Sequence, residues 1–243
     1  MGNDRDARSL SIEGLCNARD LGGLPRLDGD LTPHGTFYRS ENLNAVTPAG
    51  WQQLHALGIR TVVDLRQPAE RSDSIYQAPS WLTVQQVDHD GLDDHPGFWA
   101  DYWENGLVGT ALYYLPHVQQ LPERSADVLS AIAQAPEGGV MFHCMAGRDR
   151  TGIIAMLLLE IGGTDQDAIV DDYLESVRNG AAIAVARGRP DNEPACEDLC
   201  RRHGTTTEGA FRDVLTGLDT GQVMSLLSPE NQKVLKTWRG ALG

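Results

Sequence analysis

A cysteine and an arginine stand at the two ends of a short glycine-containing run, His143-Cys144-Met145-Ala146-Gly147-Arg148-Asp149-Arg150-Thr151-Gly152. The residues before it, Gly139 to Phe142, are apolar and β-prone. Those after it, Ile153 to Leu159, are apolar, stop at Gly162-Gly163 and predict a buried helix. A strand-to-helix loop aims successive backbone N–H groups at one point, and the helix dipole adds partial positive charge there, so a phosphate dianion can be held without lysine. Cys144 lies at that focus. Helix N-termini and nearby cations lower a thiol from about 8.5 to roughly 3.5–7.5, and the thiolate is the competent nucleophile. Arg150 offers a planar fork for two phosphate oxygens, and Thr151 offers a hydroxyl to the departing sulfur. The chemistry expected is hydrolysis of a phosphomonoester through a cysteinyl-phosphate, with Met145, Ala146, Gly147, Arg148 and Thr151 lining the phosphate cradle.

Cys144, five intervening residues, then Arg150 and Thr151 resemble the signature loop of cysteine-dependent protein tyrosine and dual-specificity phosphatases. A rhodanese-like sulfurtransferase is a competing reading, but its cysteine loop is shorter by a residue. The N-terminal half extends the resemblance through Asn17-Ala18-Arg19-Asp20-Leu21-Gly22-Gly23, Phe37-Tyr38-Arg39-Ser40, and Asp64-Leu65-Arg66 with Glu70. These are similar to the bacterial and fungal branch whose loop carries Ala-Gly-Lys-Asp-Arg, with Arg148 in the place of the lysine. The resemblance implies a tyrosine-phosphatase-like α/β fold, no metal and no cofactor, and a phosphoprotein as substrate. The alternative substrate is a small phosphorylated metabolite such as a nucleoside, inositol or phosphoinositide phosphate, since the lysine of that branch is associated with phosphoinositides. Arg148 keeps the charge and is expected at the mouth of the cradle, gripping a second anionic group. Residues 187 to 207 are the least familiar stretch, and 181–207 form a candidate lid or insert.

Ester cleavage needs a proton for the leaving oxygen, and a carboxylic acid is the expected donor. Asp88, Asp90, Asp93 and Asp94 lie in the polar segment Val87 to Pro96, with Asp88 the candidate put forward from that group. Asp149, inside the loop, is the other candidate, and the resemblance assigns the role to it. His143 reads as a hydrogen-bonding anchor for the loop. Asp64, Arg66, Glu70, Asp20 and Arg39 read first as structural pairing and capping groups. Phe98, Trp99, Tyr102 and Trp103 suit a packed helix face better than a pocket wall. Cys196, Cys200 and His203 share one helix face, but three ligands without a Cys-x-x-Cys knuckle make a poor zinc site.

The elements that must position these groups alternate along the chain. Thr47-Pro48 opens a helix stopped by Gly58, followed by a strand from Ile59 to Leu65; Pro122 opens the helix that leads back to the catalytic strand. Thr164 begins another helix ending at Asn179-Gly180, Pro190 to Pro194 reads as a loop, and Ser228-Pro229 starts the last helix. This order predicts an α/β fold with a partly parallel central sheet flanked by helices on both faces, as one domain over 1–243 around the loop 143–152. With 41% hydrophobic residues, a net charge of −14 and a pI of about 4.8, nucleic acid and anionic membrane surfaces are disfavoured as partners. No apolar run follows the N-terminus and none approaches the roughly 20 residues of a membrane helix, so no membrane insertion and a cytoplasmic location are expected. Four cysteines suit a reducing compartment. Oligomeric state has no sequence signal.

Overall fold

The computed structural model describes residues 8–73 and 76–242. The N-terminal residues 1–7, in which no targeting signal is expected, lie outside them. Five strands form one sheet in the order β1 (Arg19–Asp20), β2 (Phe37–Ser40), β5 (Gly139–His143), β3 (Ile59–Asp64), β4 (Thr83–Gln86). Only the short edge strand β1 is antiparallel to its neighbour; the other pairs are parallel. The central strand β5 is buried along its whole length, as its unbroken apolar run requires in a parallel sheet covered on both faces.

Alternation along the strands divides the core in two. Val140 and Phe142 of β5, Val63 of β3 and Phe37 of β2 face the larger cluster, beside α5 (Pro122–Ala133), α6 (Asp149–Ile161) and α7 (Gln166–Arg178). Met141, Val62 and Tyr38 face the smaller one, closed by Leu54 of α1 (Pro48–Ala56), by Leu43 and by Ile12. Helices thus cover both faces, unevenly. The sequence signals for α1 hold: Thr47 Oγ1 accepts the Gly50 N–H at 3.1 Å, Pro48 opens the helix, and Gly58 takes φ +78° after it. Helix α6 buries every residue from Thr151 to Leu159, so its apolar run is its own explanation.

The remaining helices are α2 (Pro68–Asp73), α3 (Pro96–Tyr102), α4 (Tyr114–Gln120), α8 (Gly180–Ala186), α9 (Glu193–Arg202), α10 (Thr207–Gly217), α11 (Thr220–Met224) and α12 (Pro229–Lys236). In α3 Trp99 is buried against Tyr113 and His117, the packed face expected of that aromatic group, while Trp103 is half exposed. The loop expected from Pro190 to Pro194 ends early: Glu193 and Pro194 form the first turn of α9, since proline at that position loses no helical hydrogen bond. Strand β4 carried no alternation in the sequence, and its half-exposed edge position explains why.

Candidate active site

Register places the site. Ser40 of β2 and Asp64 of β3 both pair with His143, so three parallel strands end side by side and the loop 144–148 leaves from the middle one. That is where open α/β sheets bind ligands. Gly147 takes φ +69°, and a Cβ there would stand 2.4 Å from the Ser40 carbonyl oxygen, so only glycine lets the loop lie on β2.

The scaffold grips the loop by its carbonyls. Met145 O accepts the Asn42 N–H at 3.1 Å and the Arg187 guanidinium. Ala146 O accepts Asn17 Nδ2 at 3.2 Å, and Gly147 O accepts Arg39 Nη2 at 2.8 Å. In a trans peptide the N–H points opposite to the C=O. The N–H groups of Ala146, Gly147 and Arg148 are therefore turned into the loop, and none has an acceptor among the described residues. Successive N–H groups at the N-terminus of α6 can hold an anion as a nest, and Cys144 stands beside them at 2% exposure.

Arg150 is aimed by acids. Glu70 receives its guanidinium in a two-pronged contact, one prong at 2.8 Å, and Asp90 Oδ2 lies 3.1 Å from Nη1. Burial works against the Arg150 charge, but Asp90, Glu70 and the sulfur of Cys144 push its pKa well above the usual value. The Cys144 sulfur is thus within electrostatic reach of the clamp. Glu70, for which the sequence left open a structural pairing or an orienting contact at the site, pairs with Arg150, whereas Asp64 and Arg66 pair with each other at 2.8 Å. Thr151 Oγ1 is fully buried and has no hydrogen-bond partner among the described residues.

Two carboxyls approach the cradle. Asp149 is partly open, and its Oδ1 accepts the Tyr114 hydroxyl at 2.8 Å. In the upstream segment, Asp88 uses Oδ1 to accept the N–H groups of Asp90 and Gly91, both at 3.1 Å, and so shapes the turn. Asp90 is the residue that this turn presents to Arg150. Its carbonyl is held by Trp99 Nε1 at 2.9 Å, and Gln67 Nε2 donates to its carboxylate at 2.7 Å. Burial pushes the Asp90 carboxyl up, against the pull of Arg150 and Gln67.

His143 is the anchor its position implies. Nδ1 lies 3.0 Å from the Cys144 carbonyl and Nε2 lies 3.1 Å from the Tyr76 hydroxyl. Burial, only partly offset by Asp64, lowers the His143 pKa to about 4, so the ring is neutral at working pH.

Arg148 departs from expectation. Instead of standing at the mouth it is 4% exposed, bonded to the Gly109 carbonyl, 2.9 Å from Glu193 Oε2, and over the Tyr173 ring at 5.7 Å. The aromatic floor and the carboxylate of α9 draw the guanidinium inward. The residue that reaches the loop from outside is Arg187, just after α8, which sequence reading missed because nothing in its neighbourhood is periodic or motif-like. Residues 181–207 thus dock α8 and α9 onto the loop through Arg187 and Glu193. Cys196, Cys200 and His203 do not gather: Cys200 is buried, His203 exposed, and no group of three or more metal-ligating side chains occurs among the described residues.

Beneath the loop lies a charged floor. Asp172 of α7 binds Arg19 at 2.9 Å, Arg39 at 2.6 Å and Arg8 at 2.8 Å, with all four side chains buried. Ser176, one turn further along, accepts Arg19 Nη2 at 2.8 Å. Burial, with Arg39 next, lowers Arg19 to about 10, and the three arginines hold Asp172 well below the carboxylate range against burial. Asp20, by contrast, caps the turn at Gly22 and Gly35 and stays out of the site.

A run of unpartnered loop N–H groups, a buried cysteine and an acid-aimed arginine meet at a strand-to-helix turn. The chain matches the model of the tyrosine phosphatase family over residues 10–222, and it belongs to that family. It is 32% identical over 188 residues to a provisionally named tyrosine-protein phosphatase of Cupriavidus necator, covering 73% of this chain and 67% of that protein. It is 29% identical over 210 residues to a tyrosine-protein phosphatase of Nostoc commune, covering 80% and 68%. With the triple specificity protein phosphatase PtpB of Mycobacterium tuberculosis it shares 31% over 193 residues, 68% of each chain. A crystal structure of TpbA from P. aeruginosa in complex with pTyr aligns at 19% identity and a TM-score of 0.32, covering 65% of this chain and 82% of that one, too distant to carry weight.

Proposed function

We propose that this tyrosine phosphatase is a metal-independent phosphomonoesterase of the protein tyrosine and dual-specificity type, working through a cysteinyl-phosphate within one catalytic unit. The observation that carries the reading is the set of inward N–H groups of Ala146, Gly147 and Arg148 around Cys144, facing the acid-aimed Arg150. The Cys144 thiolate attacks phosphorus; the S–P bond forms as the P–O ester bond breaks. The departing oxygen takes a proton from the Asp149 carboxyl, which is partly exposed and whose Oδ1 is held by the Tyr114 hydroxyl with Arg148 3.6 Å away. Water then attacks the phosphocysteine and gives its proton to Asp149, the P–S bond breaks, and thiolate and inorganic phosphate result. Arg150 and the nest hold the equatorial oxygens, whose charge is greatest in the transition state, and Thr151 donates to the leaving sulfur.

Helices α8 and α9 act in this reading as a cover over the loop. A thiolate nucleophile must be kept reduced, and the reading places the enzyme in the cytoplasm with a phosphorylated protein as substrate. A small phosphorylated metabolite is the second reading, favoured by a basic cavity beside the cradle. Cys144→Ser is expected to abolish turnover of p-nitrophenyl phosphate while vanadate binding, followed by calorimetry, stays within about threefold, because the nest and Arg150 persist. EDTA is expected to leave the parent enzyme unaffected. Near-normal activity in the serine variant, or loss of activity on chelation, contradicts the reading.

A further inference from the structure

Next to the cradle, on the side of Met145, lies a cavity of about 220 Å³ lined by Asn42, Asn44, Met145, Ile183, Arg187 and Arg189 among others. Its volume falls below the roughly 300–1,000 Å³ that takes a whole small ligand, so it suits one substituent of a molecule anchored elsewhere. The anchor is adjacent, since Met145 follows the nucleophile in the chain.

The wall is cationic on a protein of net charge −14. Arg187 is half-buried with one nitrogen on the Met145 carbonyl, and it is within electrostatic reach of Cys144. Arg189 is exposed, and its guanidinium pairs with no acid among the described residues. Both are held in place by the end of α8: the Arg187 N–H donates to Ile183 O at 3.1 Å, the Arg189 N–H to Ala184 O at 2.9 Å, and Gly188 between them takes φ +60°. Glu41, the one carboxylate in the lining, has its two oxygens engaged by the backbone N–H groups of Cys16 and Asn17, and its charge also acts on Arg187, so Arg189 carries the cation left unmatched. Two guanidinium groups facing a void without a free carboxylate match a dianion.

We propose that Arg187 and Arg189 form a second anion subsite, which takes a further phosphate group carried on the same small carbon frame as the phosphate undergoing hydrolysis. The inference rests on the phosphatase reading of the cradle, and it moves the second anion from Arg148, which is buried, to the end of α8. The cavity and the cradle share Met145, and Arg187 lies within electrostatic reach of Cys144, so one small frame can present a phosphate to each. That arrangement belongs to a small bisphosphate rather than to acidic side chains of a phosphopeptide.

The test compares phenyl phosphate with the ortho, meta and para isomers of phenylene bisphosphate, in the parent, Arg189→Ala and Arg189→Glu, at low and high salt. The parent is expected to prefer at least one bisphosphate, and Arg189→Glu to lower kcat/KM for that isomer about tenfold at low salt, with phenyl phosphate changed less than about twofold. Arg187→Ala is expected to affect both substrates, because Arg187 also holds the loop. Phosphoinositide vesicles at matched phosphate form a further arm: Arg189 dependence there as well identifies a lipid headgroup as the source, and dependence confined to soluble bisphosphates identifies a free metabolite. Equal kcat/KM for mono- and bisphosphates in a parent that still hydrolyses phenyl phosphate overturns the subsite and leaves the phosphatase reading standing. Arg189 dependence seen only with acidic phosphopeptides also overturns it. Inactivity of the parent on phenyl phosphate overturns the phosphatase reading instead.

Discussion

The proton donor is decided between two aspartates with opposite surroundings. Asp149 is partly open and bonded to Tyr114, whereas Asp90 is buried and clasped by Arg150 and Gln67. A donor has to reach the leaving oxygen, which favours Asp149; an ion-pair partner has to stay where it is, which describes Asp90. Asp149→Asn is therefore expected to slow an alkyl phosphate by roughly 10²–10⁴-fold and p-nitrophenyl phosphate much less, because nitrophenolate leaves without a proton. Asp90→Asn is expected to slow both alike by loosening Arg150. If the leaving-group dependence follows Asp90 instead, the roles are exchanged. At this scale the sequence alone brings Cys144, Asp149 and Arg150 together, because they are neighbours in the chain. It pointed to Asp88 rather than Asp90, because only the turn geometry decides which side chain faces the cradle.

Among elements, α9 carries a titratable contact with the loop. Burial, and next to it Asp149 acting against the pull of Arg148, leaves the Glu193 carboxyl raised from 4.5 to about 7. A carboxyl raised on folding favours the folded state while protonated, so its contribution is full below about 4.5, declines as pH rises, and is lost above about 7. Protection of α9 amides in hydrogen exchange, corrected for the intrinsic rate, is expected to fall from pH 5 to pH 8 in the parent and to stay level in Glu193→Gln. A parent profile as flat as the variant's would remove Glu193 from the docking of α9. The helices α1, α5, α6 and α7 were legible because caps and apolar periodicity are local signals. Helix α8 was not, and α9 was marked only by the shared face of Cys196, Cys200 and His203, because each buries a single side chain, Ile183 and Cys200, and carries no broad apolar stripe.

Across the whole molecule, a body of net charge −14 is organised around a buried cationic floor. Arg8, Arg19 and Arg39 come from the N-terminal segment, β1 and β2 and share one carboxylate, Asp172 of α7, so this node ties the edge of the sheet to the helices behind the loop. It also leaves more positive than negative charge beneath an anion site, and Arg39 passes directly to the Gly147 carbonyl. Breaking a buried ion pair from one side leaves uncompensated charge, so Asp172→Asn is expected to cost about 3–5 kcal/mol and to lower Tm by roughly 10 °C. A Tm within about 2 °C of the parent would show that the node contributes little. Arg19 and Arg39 stood out in the sequence, but their partner did not: Asp172 sits among the apolar positions of α7, where a single charge is easily taken for surface. The fold class was legible because the catalytic strand and its helix are apolar throughout and leave only one place for the loop.

The most direct test of the account is to quench the enzyme during turnover and locate the phosphate by mass spectrometry. The mechanism requires one phosphate on the peptide containing Cys144, building up as turnover begins and lost on a chase with unlabelled substrate, with none on that peptide in Cys144→Ser. Turnover with no covalent phosphate at any time, or with phosphate on a histidine or an aspartate instead, would contradict it.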